Sequence, residues 1–325
     1  MAGLVLALPA AGEATSVAPP RDPPASSAGL PPFESTNPGE LSHSPLGFQP
    51  FAMPRDTWSL GANLEYGSEV ELFQTERVRY DFDGEVLRLD LRIVRKLDER
   101  TFAQMKWGVM GAYAGFLDGA IDAYHSLFGI SYAARALRPK NQFEYGFRGG
   151  SVDASFSPIA MRPLDPELGV GRLFGSHLQV YGALTFPGGA PEGYGRGVVT
   201  LSLRATARYR LASWLLTEGS LGVAYAPPSG PLSRWQSPLL AMGTLGARVD
   251  LGRHAIYGNL LLHSAPAGRG EAPYRPLATL DGALDFGYRH TFAGGEGFWV
   301  GLTEDLIAAG PAVDVVLHTG LSLDL

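Results

Sequence analysis

The 325-residue chain contains no cysteine, which rules out disulfides, thiolate metal sites and a cysteine nucleophile. It has no run of about 20 consecutive apolar residues, the length a helix needs to cross a bilayer. Neither a Gly-x-x-x-x-Gly-Lys-Ser/Thr phosphate loop nor a His-Glu-x-x-His metalloprotease motif occurs, and the Gly-x-Ser-x-Gly nucleophile elbow is missing too. Gly169-Val-Gly171-Arg-Leu-Phe-Gly175 approaches a dinucleotide fingerprint, but its last glycine falls one position late and no helical pattern follows. No cofactor is therefore expected. The net charge of −6 argues against nucleic acid as a partner.

What the chain does have is alternation. Side chains on a strand point to opposite faces with a period of two. From Val313 to Leu325, Val315, Leu317, Leu321, Leu323 and Leu325 share one face, while Asp314, His318, Gly320, Ser322 and Asp324 share the other. Trp58, Leu60, Ala62, Leu64 and Tyr66 oppose Ser59, Gly61, Asn63 and Glu65 in the same way. Leu87, Leu89, Leu91 and Ile93 oppose Arg88, Asp90 and Arg92, and Leu201, Leu203, Ala205 and Tyr209 oppose Ser202, Arg204, Thr206, Arg208 and Arg210. Leu245, Ala247, Val249 and Leu251 oppose Arg248 and Asp250, and Leu280, Leu284, Phe286 and Tyr288 oppose Asp281, Asp285 and Arg289. Weaker versions lie near 70–82, 101–113, 141–150, 176–186, 214–226, 254–263 and 296–305.

An apolar face for lipid and a polar face for water is the pattern of a transmembrane antiparallel β-barrel. It also explains a mean hydropathy of only +0.02 in a chain that is 45% hydrophobic. Glycine, 42 of the 325 residues, suits tight turns and crowded interiors. The segments number twelve or thirteen, and a single-chain bacterial barrel has an even number, so about 12 strands are expected. Aromatic residues near many segment ends (Trp58, Tyr66, Trp107, Tyr209, Trp214, Phe298 and Trp299 among them) match interfacial girdles. The expected address is the bacterial outer membrane, with its lipids and the barrel-insertion machinery as partners.

Residues 1–14 begin with an apolar stretch and continue into small residues, the remnant of a secretory signal without its basic start. Residues 15–54 carry Pro19, Pro20, Pro23, Pro24, Pro31, Pro32, Pro38, Pro45, Pro50 and Pro54, which prevents continuous helix or ladder. They form a periplasmic linker or a plug, and the barrel itself takes up 55–325. Leu117, Ile121, Tyr124 and Phe128 recur at helical spacing, with Asp118, Asp122 and His125 on another face. A short loop helix near 118–128 is therefore expected, as a lid over the mouth or a plug. With both termini in the periplasm and the helix after a fourth strand, it would fall on the periplasmic side. Asp118, Asp122 and His125 dock it to the rim or, alternatively, hold a divalent metal.

Three stretches resemble the Gram-negative outer-membrane proteins grouped as domain of unknown function 3187. These are Gly115-Phe-Leu-Asp-Gly-Ala-Ile-Asp-Ala-Tyr-His125-Ser-Leu-Phe-Gly129 with Pro139 and Asn141; Thr303-Glu-Asp305 followed by Pro311-Ala-Val-Asp314-Val-Val-Leu-His318; and Asn37-Pro38 with Pro50-Phe51. Phe186-Pro-Gly-Gly189 stands where the family carries a Pro-Thr-Gly-Asp-like turn, and Leu325 stands where an outer-membrane protein usually ends in an aromatic residue. The resemblance implies a barrel and an outer-membrane address, and no activity.

Charge on the lipid face costs about 2–4 kcal/mol for Arg at the midplane. Arg88, Asp90, Arg92, Arg204, Arg208, Arg210, Arg248, Asp250, Asp281, Asp285, Arg289, Asp314 and His318 are therefore expected to line the lumen. Buried guanidiniums need carboxylate partners, and Asp250, Asp281, Asp285 and Asp314 are the candidates. The resulting function is a narrow channel or a binding protein for a small polar solute; the alternative is a closed structural or adhesin-like barrel. An outer-membrane hydrolase built on His254 or His290 finds no Ser-x-His or His-x-Ser pairing to support it.

Overall fold

The computed structural model describes residues 29–33, 39–41, 43–48, 51, 57–74, 76, 78–129, 139–189, 191–266, 280–306 and 315–325. Fifteen strands join one antiparallel sheet. Twelve of them close on themselves, in the order β1 (Trp58–Gln74), β2 (Val78–Lys96), β3 (Thr101–Tyr113), β7 (Glu167–Phe174), β8 (Leu178–Thr185), β9 (Thr200–Ala212), β10 (Leu215–Tyr225), β11 (Leu239–Leu251), β12 (His254–His263), β13 (Asp281–Thr291), β14 (Gly297–Asp305) and β15 (Val315–Asp324). β15 then returns to β1, with Ser59 opposite Asp324 and Ser68 opposite Val315. The last residue takes part in the closure: Trp58 N donates to Leu325 O at 2.9 Å, and Leu325 N donates back at 2.8 Å. Closure leaves the twelve-stranded ring no unpaired edge, the condition for a sheet to live in hydrocarbon.

The alternation emerges as two faces. Along β9, Leu201, Leu203 and Tyr209 are exposed while Thr200, Ser202, Arg204, Thr206 and Arg208 are buried. In an isolated barrel the exposed apolar side is the lipid side. One end of the barrel carries the chain end and tight turns at 97–100, 175–177, 213–214 and 252–253; the other carries the longer connections. These are called the turn end and the loop end below.

Three strands lie outside the ring. β4 (Glu144–Gly149) pairs with the outer stretch of β2, β5 (Val152–Ser155) pairs with β4, and β6 (Ile159–Pro163) pairs with β3. They extend the wall at the loop end over a cluster of Tyr80, Phe82, Tyr145, Phe147, Tyr194, Leu232 and Trp235.

Three sequence expectations need correction. Residues 70–82 are not a separate strand: they are the continuous tops of β1 and β2, whose pairing runs unbroken from Trp58–Arg95 to Gln74–Arg79. The helix α1 (Asp118–Phe128) consequently follows the third strand and sits at the loop end, away from Leu325. It is also neither lid nor plug. Its anchors Glu85 and Glu304 fall on the same faces of β2 and β14 as the lipid-facing Leu87 and Val300, so α1 lies against the outside of the wall.

Candidate functional site

Ion pairs built mostly within the wall line the lumen. Arg204 on β9 meets Glu167 on β7 at 3.1 Å, and Arg208 meets Glu218 on β10 at 3.0 Å. Asp250 on β11 accepts from Arg210 at 2.9 Å and from Arg248 at 2.7 Å. Arg88 meets Asp90 two residues along β2 at 2.6 Å. His318 Nε2 lies 2.6 Å from Asp285 Oδ1, and Asn259 Nδ2 donates to the other oxygen of Asp285 at 2.9 Å. Trp299 Nε1 donates to Asn63 Oδ1 at 3.2 Å, and Asn63 Nδ2 donates to Glu65 at 2.7 Å.

Of the residues expected to face the lumen, Asp90, Arg204, Arg208, Arg248, Asp285, Arg289 and His318 are buried on that side; Arg88, Arg92, Arg210, Asp250 and Asp281 are half-buried. Asp314 lies outside the described residues. The expected partners of the arginines were only partly right. Asp250 does serve two of them, but Asp285 is taken by His318, and Asp281 makes no ion pair among the described residues. Glu167 and Glu218 complete the deepest pairs instead: Glu218 lies directly opposite Arg208 on the neighbouring strand, while Arg204 reaches Glu167 across the intervening β8.

The N-terminal segment occupies the space between these walls. Near the turn end, Arg248 and Arg289 both donate to the Gly29 carbonyl, at 3.2 and 3.1 Å. Leu30, Phe33, Leu46 and Phe48 pack on Leu240, Met242, Tyr257, Leu261 and Trp299 of the inner wall. At the loop end, Glu40 N donates to Gly193 O at 2.8 Å; the Glu40 carboxylate accepts from Leu232 N at 3.1 Å and Gln236 Nε2 at 2.9 Å. The chain then descends. Ser44 Oγ lies 2.5 Å from His263 Nε2, Arg204 donates to Pro45 O at 2.8 Å, and Phe51 N donates to Glu218 at 2.6 Å. Phe33 and Phe48 face each other in an antiparallel bridge. The described parts of 29–51 thus run up the lumen and back down as two adjacent arms.

Beside the segment a cavity of about 50 Å³ remains, bounded by His43, Arg88, Lys106 and Glu167 among others. That is room for a few waters. At the tip, burial pushes the Glu40 carboxyl up to about 7; Glu192 adds to the shift, while the Leu232 amide, Arg196 and Gln236 oppose it. Arg196 donates to the carbonyls of Ala226 and Ser237 at 2.9 and 2.6 Å and of Pro266 at 3.2 Å, tying three loops together over the tip.

The residues singled out on α1 make separate contacts. Asp118 accepts from Asn141 N at 2.6 Å, Asp122 pairs with Lys140 at 2.5 Å, and His125 lies 3.4 Å from Glu304. Among the described residues no group of three or more His, Asp or Glu converges as a metal site would.

No protein-family model matches the chain, and no curated protein matches it. Among solved structures, an outer membrane channel from Pseudomonas putida F1 aligns with a TM-score of 0.53 at 14% identity, over 83% of this chain and 96% of that one. The translocator domain of the autotransporter NalP from Neisseria meningitidis gives 0.44 at 10% identity, over 83% and 89%. The toluene transporter TbuX from Ralstonia pickettii gives 0.42 at 8%, over 83% and 90%. At these identities the first likeness concerns the fold alone, which is that of a closed outer-membrane barrel.

Proposed function

We propose that this protein is a bacterial outer-membrane channel for small polar solutes, held shut by its own N-terminal segment. Its turn end faces the periplasm and its loop end the exterior, as short turns and long loops do in bacterial barrels. One observation carries the reading: the deepest ion pairs of the lumen are complete within the wall, without the segment. Arg204–Glu167, Arg208–Glu218 and Arg248–Asp250 are complete within the strands, and the arginines hold the segment through its main-chain carbonyls at Gly29, Pro45 and Phe51. Removing the segment would leave these pairs intact in a polar-lined pore. The likeness of 115–129 and 303–318 to domain of unknown function 3187 is kept as part of this proposal. The second reading, a closed scaffold, draws on the same filled lumen.

Planar-bilayer recording separates the two. A Cβ on Gly222 would lie 3.4 Å from the Leu46 side chain, so cysteines placed at Leu46 and Gly222 could be bridged by a short thiol crosslinker, with no native cysteine to interfere. The expected record is rare openings in the intact protein, silence once cross-linked, and large steady conductance in a variant lacking residues 15–54. A folded but silent truncated variant would favour the scaffold.

A further inference from the structure

The helix α1 is held by its polar side and shows its apolar side to the outside. Ile121 is buried, and Asp118, Asp122 and His125 are engaged with Asn141, Lys140 and Glu304. The chain entering the helix is pinned by the Glu85 carboxylate, which accepts from Leu117 N and from the Tyr66 hydroxyl. Gly115 is required here, since a Cβ would run into that carboxylate. Opposite these anchors, Phe116, Ala120, Ala123 and Leu127 follow one another at spacings of four, three and four residues, and all are exposed. Such spacing makes one stripe. Leu127 at 79% and Phe116 at 71% are as exposed as the lipid-facing Leu221 at 72%, and no charged residue of α1 falls in the exposed class.

The position of this stripe says what covers it. α1 sits on the outer side of the wall, where the apolar bands of β1, β2 and β14 end at Tyr66, Leu87 and Leu302. The Phe116 ring lies 5.7 Å from Tyr66, which in turn stacks on Tyr113 at 6.4 Å. This aromatic group marks the level where rings prefer the boundary between headgroups and chains. The stripe continues the lipid-facing surface sideways, at the depth an interfacial helix occupies.

We propose that α1 is a membrane-surface anchor, whose Phe116–Leu127 stripe lies in the lipid of the outer leaflet surrounding the barrel. The rim on the β14–β1–β2 side is thereby fixed to the bilayer by lipid as well as by protein contacts. Single cysteines at Leu127 and Ala123, and a water-facing reference at Glu99, whose side chain is 91% exposed in the β2–β3 turn, can carry an environment-sensitive fluorophore. The labelled proteins are refolded into phosphatidylcholine vesicles with and without a spin label on the acyl chain near the headgroup. The expected result is blue-shifted emission and about threefold quenching at both helix sites, with neither effect at Glu99. Helix labels that behave like the one at Glu99 would overturn the proposal. So would protection that ignores the lipid quencher but grows with protein density, which would assign the stripe to a second copy of the chain.

Discussion

Arg208 turns its charge inward from β9, into surroundings that include Glu218 and Phe51. Glu218 Oε2 lies 3.0 Å away, the Phe51 carbonyl accepts at 3.2 Å, and the guanidinium stands 4.6 Å from the Phe51 ring centre. The Glu218 side chain is fully enclosed. Breaking such a pair from one side leaves a buried charge and costs about 3–5 kcal/mol, whereas replacing both members by apolar groups is often close to neutral. Arg208→Ala should therefore lower the denaturant midpoint of the detergent-refolded barrel strongly, and Arg208→Leu with Glu218→Leu should recover most of the loss. A double variant as unstable as the single one would mean that the arginine matters for its grip on the segment and not for its pairing with Glu218.

At the scale of the strand, β7 is instructive because its sequence conceals it. Glu167, Gly169, Gly171 and Leu173 turn inward and Leu168, Val170 and Phe174 outward, so the alternation is present but diluted by glycine. The glycines make room: a Cβ on Gly171 would collide with the Phe102 ring, which lies parallel to Tyr181 at 6.1 Å. The expected number of strands was nonetheless right: the thirteen stretches included two that are not strands of the ring, 70–82 and 141–150, and missed β7, and the even-number rule brought the count to twelve. For strands whose alternation is plain the two faces make a direct test. Leu203→Arg places a charge in lipid and should cost folding in liposomes about 2–4 kcal/mol. Ser202→Arg, one residue earlier and 2% exposed on the lumen side, should carry no lipid penalty and act only through crowding. Equal losses at both sites would contradict the assigned register.

The whole molecule is a barrel closed around its own leading segment, and the tip of that segment is where its state can be read. Glu40 is enclosed by the Tyr145 hydroxyl from β4, by Glu192 and Arg196 from the β8–β9 connection, and by Leu232 and Gln236 from the β10–β11 connection. Seated, its carboxyl titrates near 7 against 4.5 in the open. The seated state binds its proton more tightly, so it loses stability as pH climbs from about 4.5 to about 7, by at most about 3 kcal/mol, and changes little above that. Bilayer recordings should accordingly show more frequent openings at pH 8 than at pH 5. Glu40→Gln should give the low-frequency behaviour at both. Identical records at the two pH values, unchanged by the substitution, would remove Glu40 from the closure.

The sequence by itself determined the barrel, the facing of its side chains and the site of the helix α1, since those follow from a period of two, a period of 3.6 and the cost of charge in lipid. Leu203 against Arg204 needs no partner to be understood. Tertiary structure alone decided which acid meets which arginine, because Glu218 meets Arg208 through the register of adjacent strands and Glu167 meets Arg204 across a third strand, relations that no spacing along the chain encodes. It also decided that the described parts of the proline-rich segment, within 29–51, run inside the lumen. Proline excludes that segment from the ladder, but only the walls, offering donors to its bare carbonyls, give it a place to go.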